Sequence, residues 1–258
     1  MNAWLHDGTL EGFLCALSAA CGEDAPPDDL APAAGGPASL FAAEVRVGTD
    51  ADLAASFLET FRERAGGDAA RRVVHAYLSE RRDLARPLWE YVRLGRRLGP
   101  EVESYHANAA VSLVRLVSRR VTGEAHRLNG LLRFRRLADG VFWAPCEPVF
   151  RVAGLVAFHF RRRMADAEWV IHDVRRGYAV RWDRRTLSEV DAAALAGEWP
   201  AGEGAGPGAP APEPGEARYE ELWRAFFRNI AIPARRNAKR QRRFMPRRYW
   251  KYLVEKTA

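Results

Sequence analysis

The sequence has few cysteines and no long apolar run, and both shortages limit the classes of protein it can encode. Cys15, Cys21 and Cys146 stand in 258 residues without CxxC spacing. They cannot supply the four thiolates of a structural zinc site or a typical iron–sulfur cluster, so we expect buried, inert thiols. No apolar run approaches the roughly 18 residues of a membrane span. With no signal peptide visible, these features predict a cytoplasmic protein in a reducing compartment, without membrane association.

Motifs for common cofactors and reactions are also missing. The sequence contains no glycine-rich phosphate loop and no GxSxG motif, and its six histidines are scattered. It therefore predicts neither a metal nor a cofactor. Lysine is scarce as well, with 3 lysines beside 37 arginines. That skew is typical of a GC-rich coding sequence, so the density of charge is informative here and the choice of arginine is not.

Positive charge is concentrated near the C-terminal end. The net charge is +7, yet Arg218–Ala258 alone contains 13 basic and 3 acidic residues. The other 217 residues hold 27 basic and 30 acidic residues. A segment that carries all the excess positive charge is typical of a surface that binds a polyanion.

The hydrophobic pattern predicts an α+β fold. Residues 8–125 have a largely helical period, and a hairpin–helix–hairpin unit follows over 131–183. The hairpins turn at Asp139-Gly140 and at Arg175-Arg176-Gly177. Two hairpins that flank a helix predict an antiparallel sheet with helices on one face, packed against the N-terminal helical region. We expect residues 1–200 to form this core domain.

Shorter signals mark the ends of individual elements. The N-terminus predicts a short strand, an Asp-Gly turn and a helix capped by Thr9. Asp50 is expected to cap a second helix that ends near Gly66, and the stretch EDAPPDDLAPAAGGPAS is expected to be a loop. The Gly/Pro-rich residues 201–215 predict an exposed linker that can be shortened at little cost, because loop-closure entropy changes by only ~0.6 kcal/mol per doubling of length. Residues 216–258 are expected to form a helix and a basic, aromatic segment that packs back on the core.

The closing segment RRNAKRQRRFMPRRYWKYLVEK mixes dense positive charge with aromatic side chains. Cations neutralise phosphates and aromatic rings stack on unpaired bases, so the segment predicts nucleic-acid contact. Phe244, Trp250 and Leu253 are expected to turn inward, and Pro246 to break the helix after the charged half. The alternative is an ordinary core contact with solvated arginines. The predicted nucleic-acid-binding residues are Arg235, Arg236, Lys239, Arg240, Arg242, Arg243, Arg247, Arg248 and Lys251.

The central unit contains candidates for chemistry. His159 and Asp173 are the acid–base candidates, and arginines near them are candidate clamps for phosphate or transition-state charge. A histidine on an apolar helix face is also typical of a core residue, and an aspartate beside Arg176 is typical of an ion pair. Both interpretations stay open from the sequence. The candidate catalytic residues are His159, Asp173, Arg163, Arg176 and Tyr178, with Arg133 as a further clamp.

Four sequence blocks resemble a known family. They are HDGTLEGFLCA, HRLNGLLRFRRLADGVFWAPCEP, HFRRRMADAEWVIHDVRRGY and RRNAKRQRRFMPRRYWKYLVE. On these blocks the chain resembles the bacterial radical-SAM-linked DNA metabolism or DNA repair proteins, a domain of unknown function. That domain also occurs with some uracil-DNA glycosylase-like (UdgX-type) proteins. The family pattern is carried here by Asp7, Gly8, Gly12, Gly130, Arg133, Glu147, Met245, Pro246, Tyr249 and Trp250.

The resemblance implies DNA and a radical-SAM protein as partners. The expectation is therefore an accessory protein of DNA repair or DNA metabolism that binds nucleic acid and acts with a radical-SAM enzyme. Two alternatives stay open. One is a stand-alone hydrolase or glycosylase-like enzyme that acts on damaged DNA. The other is an RNA-binding or protein-interaction module.

Overall fold

The computed structural model describes residues 2–35, 41–198, 211–230, 232, 235 and 237–256. The chain forms two compact units, Met1–Thr122 and Gly123–Ala258. The fold is α+β, as the hydrophobic pattern predicts. The boundary falls inside one long helix, within the stretch 1–200 that the sequence analysis treats as a single core domain. Among the described helices, none combines the length and the apolar content needed to cross a membrane.

The first unit begins with a strand–turn–helix motif. Strand β1 (Asn2–His6) leads through Gly8, whose φ of 93° favours glycine, into α1 (Leu10–Gly22). Thr9 caps this helix by accepting a 3.0 Å hydrogen bond from the Gly12 amide. A Cβ on Gly12 would lie 2.2 Å from Asp7 Oδ1, so only glycine fits without a rearrangement. Gly8 and Gly12 therefore shape this turn, and the Asp7 carboxylate accepts a 2.9 Å hydrogen bond from the Thr9 amide.

Strand β1 lies at the centre of a three-stranded parallel sheet with the order β2-β1-β3. The outer strands are β3 (Ala43–Arg46) and β2 (Asp29–Pro32), and β2 lies in the stretch predicted to be a loop. The prediction of a loop is wrong for residues 29–32, because pairing with β1 overrides the local preference of Asp and Pro for loops. The helices of this unit are α2 (Ala51–Ala65), capped by Asp50 as predicted, α3 (Gly67–Leu78), α4 (Ala85–Leu98) and the first part of α5 (Ala109–Leu131).

His75 on α3 should make the first unit less stable in mild acid. Its Nδ1 lies 2.8 Å from Ser118 Oγ, and burial, followed by the charges of Arg72 and Arg71, lowers the pKa of His75 to about 4. The unfolded chain titrates near pH 6.5, so it binds more protons than the native state between pH 4 and 6.5, and stability falls as the pH falls through this window. The melting temperature of wild type should drop more steeply from pH 7 to 4.5 than that of His75→Asn. Parallel curves would contradict this role.

The second unit is built on one five-stranded sheet with the order β4-β5-β6-β7-β8. The two predicted hairpins share this sheet, as expected. Gly140 (φ 89°) and Gly177 (φ 68°) occupy the turns where the sequence places them. The strands are β4 (Arg135–Arg136), β5 (Phe142–Cys146), β6 (Trp169–Asp173), β7 (Tyr178–Trp182) and β8 (Leu187–Asp191), with helices α6 (Ala153–Arg163) and α7 (Ala192–Glu198).

Two details of the predicted sheet are wrong. Strand β5 pairs with β6 in parallel, because α6 returns the chain to the end from which β5 started, so the sheet is mixed rather than antiparallel. Helices also cover both faces instead of one. Phe160 of α6 packs on Trp169 with 6.4 Å between ring centroids, whereas the next residue, Val170, packs with Leu195 of α7. Adjacent strand residues point to opposite faces, so β6 is buried on both.

The end of the predicted linker pairs with the first hairpin. The Glu213 amide donates a 2.9 Å hydrogen bond to the carbonyl of Arg136, and Pro212 forms an antiparallel bridge with Leu137. The side chains of Arg136 and Glu213 also form a 3.1 Å ion pair. Residues 201–210 lie outside the described residues, so the expectation that this part can be shortened stays a prediction.

All three cysteines are buried free thiols. Burial raises the pKa of the Cys21 thiol to about 11 and that of Cys146 well above its ordinary value. Because the thiolate is the reactive form, we expect native protein at pH 8 to resist a disulfide reagent such as DTNB, and three equivalents to react after denaturation. A stoichiometric reaction of the native protein within seconds would show that one of these thiols is accessible.

Candidate nucleic-acid interface

The C-terminal segment divides at Pro246. Helix α8 (Glu216–Ile230) is followed by α9 (Ala238–Phe244) and a 3-10 turn (Arg247–Tyr252). Asn237 caps α9 by accepting a 2.9 Å hydrogen bond from the Arg240 amide. The helix ends directly before Met245-Pro246, where the sequence predicts a break. We call residues 235–244 the charged half and residues 245–256 the anchored half.

A buried carboxylate on α5 holds the anchored half. The Glu124 side chain is fully buried and accepts a hydrogen bond from the Tyr249 hydroxyl. It also accepts from Arg248 Nη2 at 3.1 Å and from the amides of Val149 and Phe150 at 3.0 and 2.9 Å. Burial and the bond to Glu124 raise the pKa of the Tyr249 hydroxyl, so it stays a donor. Glu124 therefore joins α5, the loop before α6 and the C-terminal segment.

Glu147 provides a second attachment. Lys251 Nζ lies 2.7 Å from Glu147 Oε1, and the Tyr252 hydroxyl donates to the same oxygen at 2.6 Å. The hydrogen bond from Lys251, followed by that from Tyr252, lowers the pKa of Glu147. Glu147 directly follows β5, so this pair ties the C-terminal segment to an interior strand of the sheet.

Glu255 provides a third attachment and lies in the segment itself. Its side chain is fully buried, with Arg133 Nη2 at 2.7 Å from Oε1 and Trp223 Nε1 at 2.9 Å from Oε2. Burial opposes its ionisation, but these hydrogen bonds, the one from Arg133 first, lower the pKa of Glu255 overall. Arg133, one of the residues that carry the resemblance, therefore serves as the partner of a buried carboxylate.

The predicted anchors need correction. Leu253 is fully buried as expected, but Trp250 is only half-buried and Phe244 is 58% exposed. Tyr249, which is 2% exposed, takes the anchoring position instead. The reason is that α9 has no apolar face to bury Phe244, whereas the 3-10 turn directs Tyr249 to Glu124. Two predicted phosphate ligands, Arg248 and Lys251, are held in ion pairs with Glu124 and Glu147.

The basic side chains of the charged half are exposed to solvent. Every side chain of α9 is exposed or half-exposed, and within the part of the chain that the structure describes its cations pair with no carboxylate. Arg240 and Arg243 lie 5.9 and 5.8 Å from the ring centroid of Phe244. The exposed cations are Arg235, Lys239, Arg240, Arg242 and Arg243, together with Arg247 beyond the break. Arg236 lies outside the described residues.

A basic cleft lies between α8 and α9. Its volume is about 670 Å³, and Arg228, Arg235, Arg240 and Lys256 line it. No acidic side chain is among the described residues that line this cleft. Lys256 Nζ lies 5.2 Å from the ring centroid of Phe227 and 5.0 Å from that of Trp250. The cleft can therefore accept an anion such as a phosphate group.

A second cavity, of about 770 Å³, is lined by an earlier part of α8, and we call it the aromatic groove. Tyr219, Trp223 and Phe226 form one wall, and Phe134 and Phe160 lie in the opposite wall. The family-pattern residues Gly130 and Arg133 and the predicted site residue Arg163 also line it. These three positions therefore come together at one cavity.

The catalytic candidates differ in their surroundings. Asp173 is fully buried, and Arg176 Nη1 lies 2.8 Å from its Oδ2. The Arg176 guanidinium also donates to the carbonyls of Pro148 and Val149 at 3.1 and 2.8 Å, so the pair fixes the loop after β5. Tyr178 lies opposite Asp173 in the β6–β7 register, and burial raises the pKa of its hydroxyl. His159 is half-buried beside Phe160, and Arg163 is exposed at the aromatic groove.

Glu124 is the functional position that the sequence analysis missed. Its signal was present, since Val117, Val121, Glu124 and Leu128 follow a helical spacing on α5 and the other three are buried. A carboxylate on a buried stripe requires a partner elsewhere in the chain. The pattern identifies the stripe but not Tyr249 and Arg248, which lie more than 120 residues away.

Comparison with known proteins adds one match. The model of a family described as a domain of unknown function (DUF4130) matches residues 82–255, about two thirds of the chain. This range contains three of the four blocks that carry the resemblance, and the opening block lies outside it. No curated protein and no solved structure matches the chain. Among the described residues, no three His, Cys, Asp or Glu side chains form a group that could hold a metal ion.

Proposed function

The chain belongs to this family of unknown function, and we propose that it binds DNA through the charged half and the basic cleft, as an accessory protein of DNA repair or DNA metabolism. The observation that carries the proposal is the group of cations on α9 and in the cleft without carboxylate partners among the described residues. When such cations neutralise phosphates, counterions are released from the DNA, and this supplies most of the non-specific affinity for DNA.

The anchored half supports the proposal because it fixes where these cations lie. Buried contacts of Tyr249 and Leu253 hold the chain directly after α9. Arg248 and Lys251 are already neutralised by Glu124 and Glu147. The charges available to phosphate are therefore those of the charged half and the cleft, presented by a folded surface.

The direct test is equilibrium binding of a fluorescently labelled DNA oligonucleotide, followed by anisotropy from 50 to 300 mM salt. The proposal requires binding at low salt and a linear decrease of log K with log salt. Absence of binding at 50 mM salt would refute it. RNA of the same sequence, run in parallel, tests the RNA-binding alternative.

The finer part of the proposal is that the protein acts with a radical-SAM enzyme. Its support is the resemblance carried by the four blocks. The test is to assay the purified protein, with and without a radical-SAM partner, on a panel of damaged oligonucleotides. A product that requires both proteins would support the accessory role, and a product formed by this chain alone would favour the stand-alone enzyme.

A further inference from the structure

We propose that the aromatic groove binds unpaired bases, so that the protein prefers single-stranded to double-stranded nucleic acid. This inference rests on the proposed function, since phosphate contacts in the basic cleft would deliver the strand to the groove. Beyond the proposed function, it specifies that the nucleic acid is single-stranded and identifies a second binding surface made by different residues.

The wall formed by α8 exposes aromatic rings to the groove. Tyr219 and Phe226 are seven residues apart, on one side of the helix, and are 68% and 54% exposed. Trp223 lies between them and is held by Glu255, while the Arg133 guanidinium stacks 5.1 Å from its ring centroid. Rings fixed in this way offer flat faces on which bases stack regardless of sequence.

The charges in the groove are compatible with a polyanion. Its two acidic side chains are already engaged, since Glu220 pairs with Arg135 at 2.9 Å and Glu216 accepts a hydrogen bond from the Arg136 amide at 3.2 Å. Arg163 is exposed at the groove and has no carboxylate partner among the described residues. The groove therefore combines apolar rings with an exposed cation, and both of its carboxylates already accept hydrogen bonds or ion pairs within the fold.

Helix α8 contributes side chains to both the groove and the basic cleft. Tyr219, Trp223 and Phe226 line the groove, whereas Arg228 and Ile230 line the cleft. Tyr219 and Ile230 are eleven positions apart, which corresponds to about 16 Å along the helix axis. One strand can therefore place its bases against the rings while its phosphates reach the cations. A purely apolar protein partner would leave the cations of the cleft unmatched, so the presence of both surfaces along one helix favours nucleic acid.

The test uses a single-stranded oligonucleotide that contains 2-aminopurine, and the same oligonucleotide in a duplex. Wild type should bind the single strand more tightly and change the 2-aminopurine fluorescence on binding. Phe226→Ala and Tyr219→Ala should each weaken single-strand binding by roughly 5- to 150-fold, leaving duplex binding and the salt slope nearly unchanged. Phe158→Ala is the matched control, because Phe158 is 52% exposed on α6 and lies outside both cavities.

The outcomes separate this inference from the proposed function. Equal affinity of wild type for single strand and duplex, with no effect of either groove variant, would overturn the groove and leave DNA binding intact. A loss of self-association in the groove variants, measured by sedimentation, with unchanged single-strand binding would assign the groove to a second copy of the chain. Absence of any binding at low salt would refute both proposals.

Discussion

Replacing Arg235, Lys239, Arg240 and Arg243 by alanine is expected to reduce the salt dependence of DNA binding substantially. Each phosphate contact contributes about 0.9 to the slope of log K against log salt, so the slope should decrease by up to about 3.6. Over a fourfold rise in salt, wild type would then lose up to about 150-fold more affinity than the variant. The measurement is the anisotropy titration of both proteins on one oligonucleotide.

The fold should tolerate this change. All four side chains are exposed, and alanine is a strong helix former, so the melting temperature should stay within a few degrees of wild type. A matched control removes four exposed arginines elsewhere and should keep the wild-type slope. Equal slopes for the two quadruple variants would mean that general charge, and not α9, attracts the DNA. The control positions are Arg119, Arg120, Arg175 and Arg185.

Replacing Glu124 by alanine is expected to have the largest effect on stability. The change removes a fully buried carboxylate and leaves the Arg248 guanidinium, the Tyr249 hydroxyl and two amides without their acceptor. Removing one partner of a buried ion pair lowers the free energy of unfolding by roughly 3–5 kcal/mol. Urea unfolding of wild type and variant measures the difference. Glu221→Ala, an exposed position on α8, is the control and should change stability by no more than about 0.5 kcal/mol.

A double-mutant cycle assigns this cost to the anchored half. Tyr249→Phe removes only the hydroxyl that donates to Glu124, and it should couple to Glu124→Ala by roughly 0.5–3 kcal/mol. Additive effects would mean that the two residues act independently, which would contradict the structure.

Trp250→Ala should lower the free energy of unfolding by less than the loss expected for a fully buried tryptophan, because Trp250 is half-buried.

Local signals in the sequence are sufficient for much of the fold. Thr9 and Asp50 cap the helices they are expected to cap, and Gly140 and Gly177 turn the two hairpins. Strand partners are a different matter, because pairing is decided by residues far apart in the chain. The parallel pairing of β5 with β6 and the additional strand β2 therefore could not be read from local patterns.

The candidate site divides in the same way. The density of charge around Arg240 and the break at Pro246 are properties of adjacent residues, so the sequence predicts them. Which cations stay free depends on distant carboxylates. Arg248 and Lys251 look like Arg240 in the sequence, yet Glu124 and Glu147, more than 100 residues away, neutralise them. Phe244 was assigned to the core for a related reason, since its exposure depends on what α9 packs against.

The anchored half also determines how the protein responds to a nick. Its contacts to Glu124, Glu147 and Arg133 are non-covalent, and all three partners precede residue 150. A protease that cuts after Arg243 would therefore sever the backbone without releasing the last 15 residues. The two fragments would migrate as one particle in native buffer and separate in denaturant. The closing residues therefore belong to the domain as a complementing fragment, held by its non-covalent contacts as well as by the backbone.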